Sequence, residues 1–320
     1  MESYFLKANE PGGERALWLR ATLFSRASEA GGAVAEGWAI AFGAADGRST
    51  SRSSRRCRFG GLRSRAAGSG CRADEPSEGA VLSLQEGRSK GLIARASTRI
   101  AWDLRYEPTR PAFELLPYSW MYGAPFPKSK LVTPAPDAVF SGEVEVGDER
   151  WSIDGWRGMQ GHNWGRGNAD LYAWCQVNLW DDDGGEPLVL EAVSARVRTG
   201  PVLLPLLTLA GVRARGVDYR WNRPSDMARA EASIDGLTYR LSVASDLGRL
   251  DAELTAEQGE MVGLYYANPT GPITHCYNTK LARARVTFAP AGRPEITRTS
   301  RVAALEIGTH DRDPGVAMLA

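Results

Sequence analysis

Apolar and polar positions alternate with period two along most of the chain. Ile100, Trp102, Leu104 and Tyr106 share one face of a segment whose other face is Ala101, Asp103 and Arg105. Val217, Tyr219 and Trp221 alternate with Asp218, Arg220 and Asn222, and Leu250, Ala252 and Leu254 with Asp251, Glu253 and Thr255. Between Leu281 and Phe288, Arg283, Arg285 and Thr287 fall on one side. Each pattern predicts a half-buried strand, because successive side chains of a strand point to opposite faces. No long stretch keeps a 3.6-residue apolar period with a cap at both ends. Strands separated by Gly, Pro and Asp turns predict an all-β chain of antiparallel sandwich or barrel type. Leu171–Trp180 and Leu188–Arg198 flank Asp181-Asp-Asp-Gly-Gly185, which reads as a hairpin.

Two stretches break this pattern. Pro108 to Pro136 holds seven of the 18 prolines and the aromatics Phe113, Tyr118, Trp120, Tyr122 and Phe126. Proline cannot donate to a ladder, so a long crossing loop is expected here, its aromatics packing on or closing a cavity mouth. Asp46 to Asp74 carries eight arginines among serines and glycines, with almost no alternation. Three readings stand for it: a disordered surface loop, an Arg-rich arm for phosphates, or a local shift of reading frame. Phe59 is its one aromatic, which disfavours the second.

The chain has 320 residues, long enough for two domains, with the seam expected at Thr199-Gly-Pro201. That division gives 1–198 and 199–320. A formal net charge of +1 supplies no general attraction to nucleic acid or to an anionic membrane. The opening Met1-Glu-Ser-Tyr-Phe-Leu-Lys-Ala-Asn-Glu10 has an early acid and no long apolar core, so no secretory signal is expected. Pro201 to Val212, interrupted by Pro205, is too short to span a bilayer. Cys57, Cys71, Cys175 and Cys276 form no Cys-x-x-Cys pair, so reduced thiols and a cytoplasmic setting are expected, with no metal. Dinucleotide, P-loop and nucleophile-elbow motifs are all lacking, and no cofactor is expected.

The candidate chemistry gathers in Asp154-Gly-Trp-Arg-Gly-Met-Gln-Gly-His-Asn-Trp-Gly165 and Tyr172-Ala-Trp-Cys-Gln-Val-Asn-Leu-Trp180. Four of the ten tryptophans and one of the three histidines lie here. His162 is a candidate acid–base group, although a histidine beside tryptophans also reads as a satisfied core group, and on chemistry alone that reading is favoured. Asn163 either positions a substrate oxygen or caps a turn. Trp156, Trp164 and Trp174 are candidate cavity walls or core. Tyr172, Trp174, Gln176 and Asn178 share one strand face. Amides pointing inward beside aromatics suit a cavity that also hydrogen-bonds its ligand. Tyr118 and Trp120, and Tyr265 with His275, complete the candidate ligand-binding set, the last two being equally readable as a surface hairpin.

His162, Trp164 and Gly165, then Trp174 and Asp182-Asp-Gly-Gly185, resemble the mark of the tandem lipocalin-like family that includes carotenoid hydratase. Glu2-Ser-Tyr-Phe5 and Ala16-Leu-Trp-Leu-Arg20 resemble the opening strands of its members. The resemblance implies two packed lipocalin-like β domains, an apolar ligand site, and chemistry of the hydratase or cyclase type on isoprenoid or polyene substrates. It also implies an aspartate before His162, and Gly161 stands there. The expected function is therefore binding of an isoprenoid- or polyketide-like molecule in an aromatic cavity, with acid–base catalysis at His162 as the alternative. The expected partner is that small molecule, with neither nucleic acid nor stable membrane insertion.

Overall fold

The computed structural model describes residues 1–25, 34–43, 51–58, 71–72, 80–95, 98–182, 185, 187–199, 202–269, 271–311 and 315–318. Most of the described residues are in strands, which form two antiparallel sheets. The first holds β1 (Glu2–Asn9), β2 (Ala16–Phe24), β3 (Val34–Phe42), β4 (Ser51–Arg58), β5 (Cys71–Arg72), β6 (Ala80–Gln85), β7 (Arg88–Arg95), β8 (Thr98–Pro108), β9 (Phe113–Glu114), β10 (Ser129–Val146) and β11 (Glu149–Gly165). The second holds β12 (Leu171–Val177), β13 (Leu188–Thr199), β14 (Val202–Ala214), β15 (Val217–Trp221), β16 (Glu231–Asp235), β17 (Thr238–Ser245), β18 (Gly248–Thr255), β19 (Val262–Tyr266), β20 (Thr274–Pro290) and β21 (Ile296–Thr309).

The two sheets repeat one topology. The first runs β4-β3-β2-β1-β11-β10-β8-β7-β6-β5 and the second β15-β14-β13-β12-β21-β20-β18-β17-β16. Apart from β5, each strand of one path has its counterpart in the other. The short β9 and β19 both pair onto the long penultimate strands β10 and β20. Each sheet curls, bringing β4 near β7 and β8 in the first and β14 near β16 in the second. By contacts the chain separates into one unit of residues 1–113 and 131–166 and another of 114–130 and 167–320. Thr199 ends β13 and pairs with Val202 at the start of β14.

Period-two patterning sets which side faces each core. Ile100, Trp102, Leu104 and Tyr106 are buried with Leu6, Leu17, Leu19, Phe140, Trp151 and Trp156 in the first unit. Leu250, Ala252, Leu254, Val286 and Phe288 join Ala173, Cys175, Val177, Tyr239 and Leu305 in the second. Each fully buried aliphatic or aromatic side chain contributes roughly 1.5–3 kcal/mol. The predicted hairpin forms, with Leu171–Val177 paired to Leu190–Arg196.

Two expectations change. Pro134 and Pro136 lie inside β10 and not in a loop. The pairing of β10 with β8 starts at Ala138, opposite Pro108, so these prolines fall where that neighbour has run out. Within 46–74, Ser51–Arg58 forms a strand paired in register with Val34–Ala41, so at least this part is not a structureless loop. Its remaining residues, apart from β5, lie outside those described.

Candidate functional site

Strand alternation divides the predicted residues before any chemistry is considered. Along β11, Trp156, Gln160, His162 and Trp164 point to the side of Leu6 and Ala8, while Met159, Gly161 and Asn163 point to the side of Ser3, Phe5 and Lys7. His162 and Asn163 therefore face opposite sides of the sheet. The Asn163 carboxamide oxygen is buried, with no hydrogen-bond partner among the described residues.

His162 is held by rings on both faces. It stacks on Tyr4 at 4.1 Å and on Trp164 at 4.6 Å. Its Nε2 lies 3.0 Å from Glu2 Oε1, which also accepts the Tyr4 hydroxyl proton at 2.7 Å. Burial pushes the imidazole below its ordinary value of 6.5, and Glu2 opposes that push only in part. The neutral ring is thus the native form. As pH falls through 6.5, the unfolded chain takes this proton before the fold does, so His162 is expected to cost stability in that range. Urea midpoints measured between about pH 7 and pH 5 are expected to drop less steeply for His162→Gln than for the native chain. Parallel profiles would remove His162 as the source of the slope. Trp156 belongs to the first core, 6.0 Å from Trp151, with the Arg15 guanidinium 5.9 Å from its ring centre.

Gly161 has a packing reason. It sits directly opposite Phe5, and a methyl group built on it would overlap the Phe5 ring. The second unit repeats the device, since Gly308 lies opposite Tyr172 and a methyl there would overlap the Tyr172 ring. An aromatic from the first strand of each sheet lies over a glycine of the last.

The other predicted strand face is in the second unit. Tyr172, Trp174, Gln176 and Asn178 are all buried, on the side opposite to Ala173, Cys175 and Val177. An antiparallel sheet commonly has one face on its core and the other in water. Here both faces of β12 are buried, and the second carries a polar chain. Lys280 Nζ donates to Asn278 Oδ1, Asn278 Nδ2 donates to Glu306 Oε2 at 3.1 Å, and Tyr172 Oη donates to Glu306 Oε1 at 2.7 Å. Lys280 also lies 5.8 Å from the Trp174 ring centre, and Trp174 Nε1 donates to Glu191 at 3.0 Å. Lys280, Asn278, Glu191 and Gln176 are each fully buried. Burial, above all, and then charges including Glu306 push the Tyr172 phenol well above its ordinary value of 10. It therefore stays protonated and acts as a fixed donor to Glu306. The sequence reading missed Glu191, Asn278, Lys280 and Glu306.

The first unit has a counterpart face. Arg20, buried beside the Trp18 ring, donates to Thr22 Oγ1 at 3.1 Å and to Ser3 Oγ at 3.0 Å, and Lys7 is fully buried on the same strand face as Ser3.

The remaining predicted residues lie elsewhere. Tyr265 and His275 are cross-strand neighbours, 5.5 Å apart, on the Tyr277 side of β20 and so on the opposite side of the second sheet from Trp174. Tyr118 and Trp120 stack on each other at 6.1 Å and are exposed, not closed over a cavity. A hollow of about 490 Å³ opens over β16–β18 and β20, lined by Glu231, Arg240, Asp251, Glu253 and Arg285 among others. It holds none of the predicted residues, and its charged lining does not suit an apolar ligand. Among the described residues no group of three or more His, Cys, Asp or Glu is placed to hold a metal ion, and no helix is long and apolar enough to cross a membrane. Cys175 and Cys276 are buried thiols.

Solved structures share this architecture across nearly the whole chain. Kievitone hydratase from Nectria haematococca matches at TM-score 0.55 and 10% identity, covering 96% of this chain and 88% of its own. CghA matches at TM-score 0.54 and 16% identity, covering 97% and 87%. A Nitrosomonas europaea protein assigned as AttH matches at TM-score 0.53 and 14% identity, covering 97% and 92%. The fold is a tandem lipocalin-like one. No family model matches the chain. In sequence it is 31% identical over 186 residues to "Uncharacterized protein MT0513" of Mycobacterium tuberculosis (strain CDC 1551 / Oshkosh). "Uncharacterized protein Rv0493c" of strain ATCC 25618 / H37Rv matches to the same extent. Each match covers 57% of this chain and 54% of the relative, so the chain spans about half the length of the curated relatives it matches.

Proposed function

We propose that the protein binds an apolar small molecule, isoprenoid- or polyketide-like, on the aromatic and polar face formed by Tyr172, Trp174, Gln176, Asn178, Asn278, Lys280 and Glu306. One observation carries this reading: a fully buried lysine, joined through Asn278 to Glu306, set beside a tryptophan on the side of the sheet away from the hydrophobic core. Buried charge is costly, and a fold that needed only stability would place apolar residues there. Buried donors and acceptors among aromatic rings are what a site uses to orient the oxygen-bearing end of a largely apolar molecule. Titration calorimetry against a panel of short polyenes and polyketide-like phenols tests it. Binding is expected for some members and is expected to weaken about tenfold in Trp174→Phe, which keeps an aromatic ring but loses the donor to Glu191. A flat response across the panel by folded protein would refute the proposal.

The second reading is an enzyme of hydratase or cyclase type working on the same face. The Tyr172–Glu306 hydrogen bond favours it, because it fixes the orientation of a carboxyl group that can exchange a proton with a bound molecule. The tandem fold it shares with kievitone hydratase is consistent with this chemistry. His162, whose ring is stacked on both faces, is assigned a packing role in this reading.

A further inference from the structure

Three of the large apolar side chains most open to solvent fall within nine residues of one another. Tyr118 is 50% exposed, Trp120 65% and Phe126 58%. They sit on a short turn of 3₁₀ helix, Ser119–Tyr122, and the irregular stretch after it. Leaving a tryptophan two-thirds open to water is unfavourable, and clustered exposed aromatics mark a surface that meets something apolar. The segment is not loose. The Tyr122 hydroxyl accepts from the Leu116 backbone at 3.2 Å, Asn222 Nδ2 donates to Leu115 O at 3.0 Å, and Lys130 Nζ donates to Pro127 O at 2.7 Å. Leu115 and Leu116 are buried and pin its start. The aromatics are thus presented outward by a braced base.

The composition of the segment selects the partner. From Pro117 to Lys130 there is no acidic residue, and Lys128 is exposed beside Phe126. Tryptophan and tyrosine favour the boundary between lipid headgroups and acyl chains, and a neighbouring lysine favours anionic headgroups. Burial first, then the Glu114 and Glu191 charges, push the Tyr122 phenol up to about 12, so it stays a protonated, bonded anchor of the segment. We infer that Tyr118, Trp120 and Phe126, with Lys128, dock the protein on an anionic lipid surface, where an apolar ligand would be dissolved. This extends the ligand-binding reading to the source of the ligand.

The test is sedimentation of the full chain with vesicles of phosphatidylcholine containing a minority of phosphatidylglycerol. The native chain is expected to pellet with the vesicles. Trp120→Ser combined with Phe126→Ser is expected to bind at least about tenfold more weakly, and Lys128→Glu more weakly than native. All three positions are exposed, so an unchanged far-ultraviolet circular dichroism spectrum confirms that the variants fold. A native chain that stays in the supernatant at every lipid load overturns the inference, as does a double variant that binds like native. A lipid-free native dimer that the double variant abolishes would assign the aromatics to a second copy of the chain and equally overturn it. Binding of a short soluble polyene without vesicles, read by calorimetry, keeps the two readings apart. If it survives in the native chain while vesicle binding fails, only the docking is lost; if it fails while vesicles bind, only the ligand reading is lost.

Discussion

Gly161→Asp is expected to unfold or severely destabilise the first unit and not to supply an acid. The resemblance in the mid-chain motif places an aspartate at this position, so the substitution is the natural attempt at restoring one. Phe5 lies directly across the ladder from Gly161, and its ring occupies the space that any β-carbon there would need. An added side chain must displace that ring, which is itself buried. Overpacking of this kind costs typically about 1–3 kcal/mol, and a carboxylate forced against a buried ring adds a desolvation cost of several kcal/mol more. The sum approaches the roughly 5–15 kcal/mol that holds an ordinary domain together. Chemical denaturation is the measurement. Gly161→Ala is expected to show the steric part alone, and Phe5→Ala combined with Gly161→Asp to be more stable than the separate losses add up to, because the smaller residue opens the space. A Gly161→Asp protein as stable as native would show that Phe5 moves aside freely. The same reasoning applies at Gly308 against Tyr172, where Gly308→Ala is expected to destabilise the second unit.

The fold class was legible because a one-residue slip in a strand exchanges its faces, which forces alternation wherever one face is buried. Ile100 to Tyr106 and Leu250 to Leu254 show this without ambiguity. The proposed binding face was legible only in part. Inward Gln176 and Asn178 beside Trp174 pointed to a face that is buried and polar, as found. The same alternation separates His162 from Asn163, and the motif view, which treats adjacent residues as a pair, overlooked it. That Tyr265 and His275 lie on the other side of the second sheet from Trp174 was hidden for a comparable reason: which side of β20 faces Trp174 is fixed by its register with β21, and register between distant strands leaves no trace in either one alone. The missed residues did leave a signal. Glu191 in Leu190-Glu-Ala192 and Glu306 in Leu305-Glu-Ile307 are single acids inside apolar strand runs, and Lys7 in Leu6-Lys-Ala8 is a single base in a similar setting. A charge there is either on a wet face or buried with partners, and only the structure distinguishes the two. The exposed Trp120 follows from no local rule, since an aromatic in a proline-rich stretch reads equally as packed or presented.

Glu306→Leu is expected to destabilise the second unit strongly, and Glu306→Gln to leave it folded while removing its chemistry. Glu306 accepts two hydrogen bonds, from the Tyr172 hydroxyl and from Asn278 Nδ2. Leucine accepts neither. Each donor left without a partner in a buried position costs about 1–3 kcal/mol, so the loss of both is expected to reach roughly 2–6 kcal/mol. Asn278 is also the acceptor for buried Lys280, so its displacement would disturb the ammonium as well. Glutamine keeps one carbonyl oxygen for Tyr172, whose raised proton affinity keeps it a donor at any pH near neutrality. Denaturant midpoints for Glu306→Leu, Tyr172→Phe and the double variant give the coupling: with Tyr172 already reduced to phenylalanine, losing Glu306 strands one donor fewer, so the double loss is expected to fall short of the sum of the single ones. Additive losses would mean that the two groups do not support each other. If the face performs hydration or cyclisation, Glu306→Gln is expected to lower turnover of a bound polyene about a hundredfold or more, the usual weight of a positioned acid–base group, while calorimetric binding changes little. Tyr172→Phe, which leaves the carboxyl in place but unfixed, is expected to fall between native and Glu306→Gln. Unchanged turnover in Glu306→Gln would leave the face as a binding surface and return the protein to the ligand-binding reading alone.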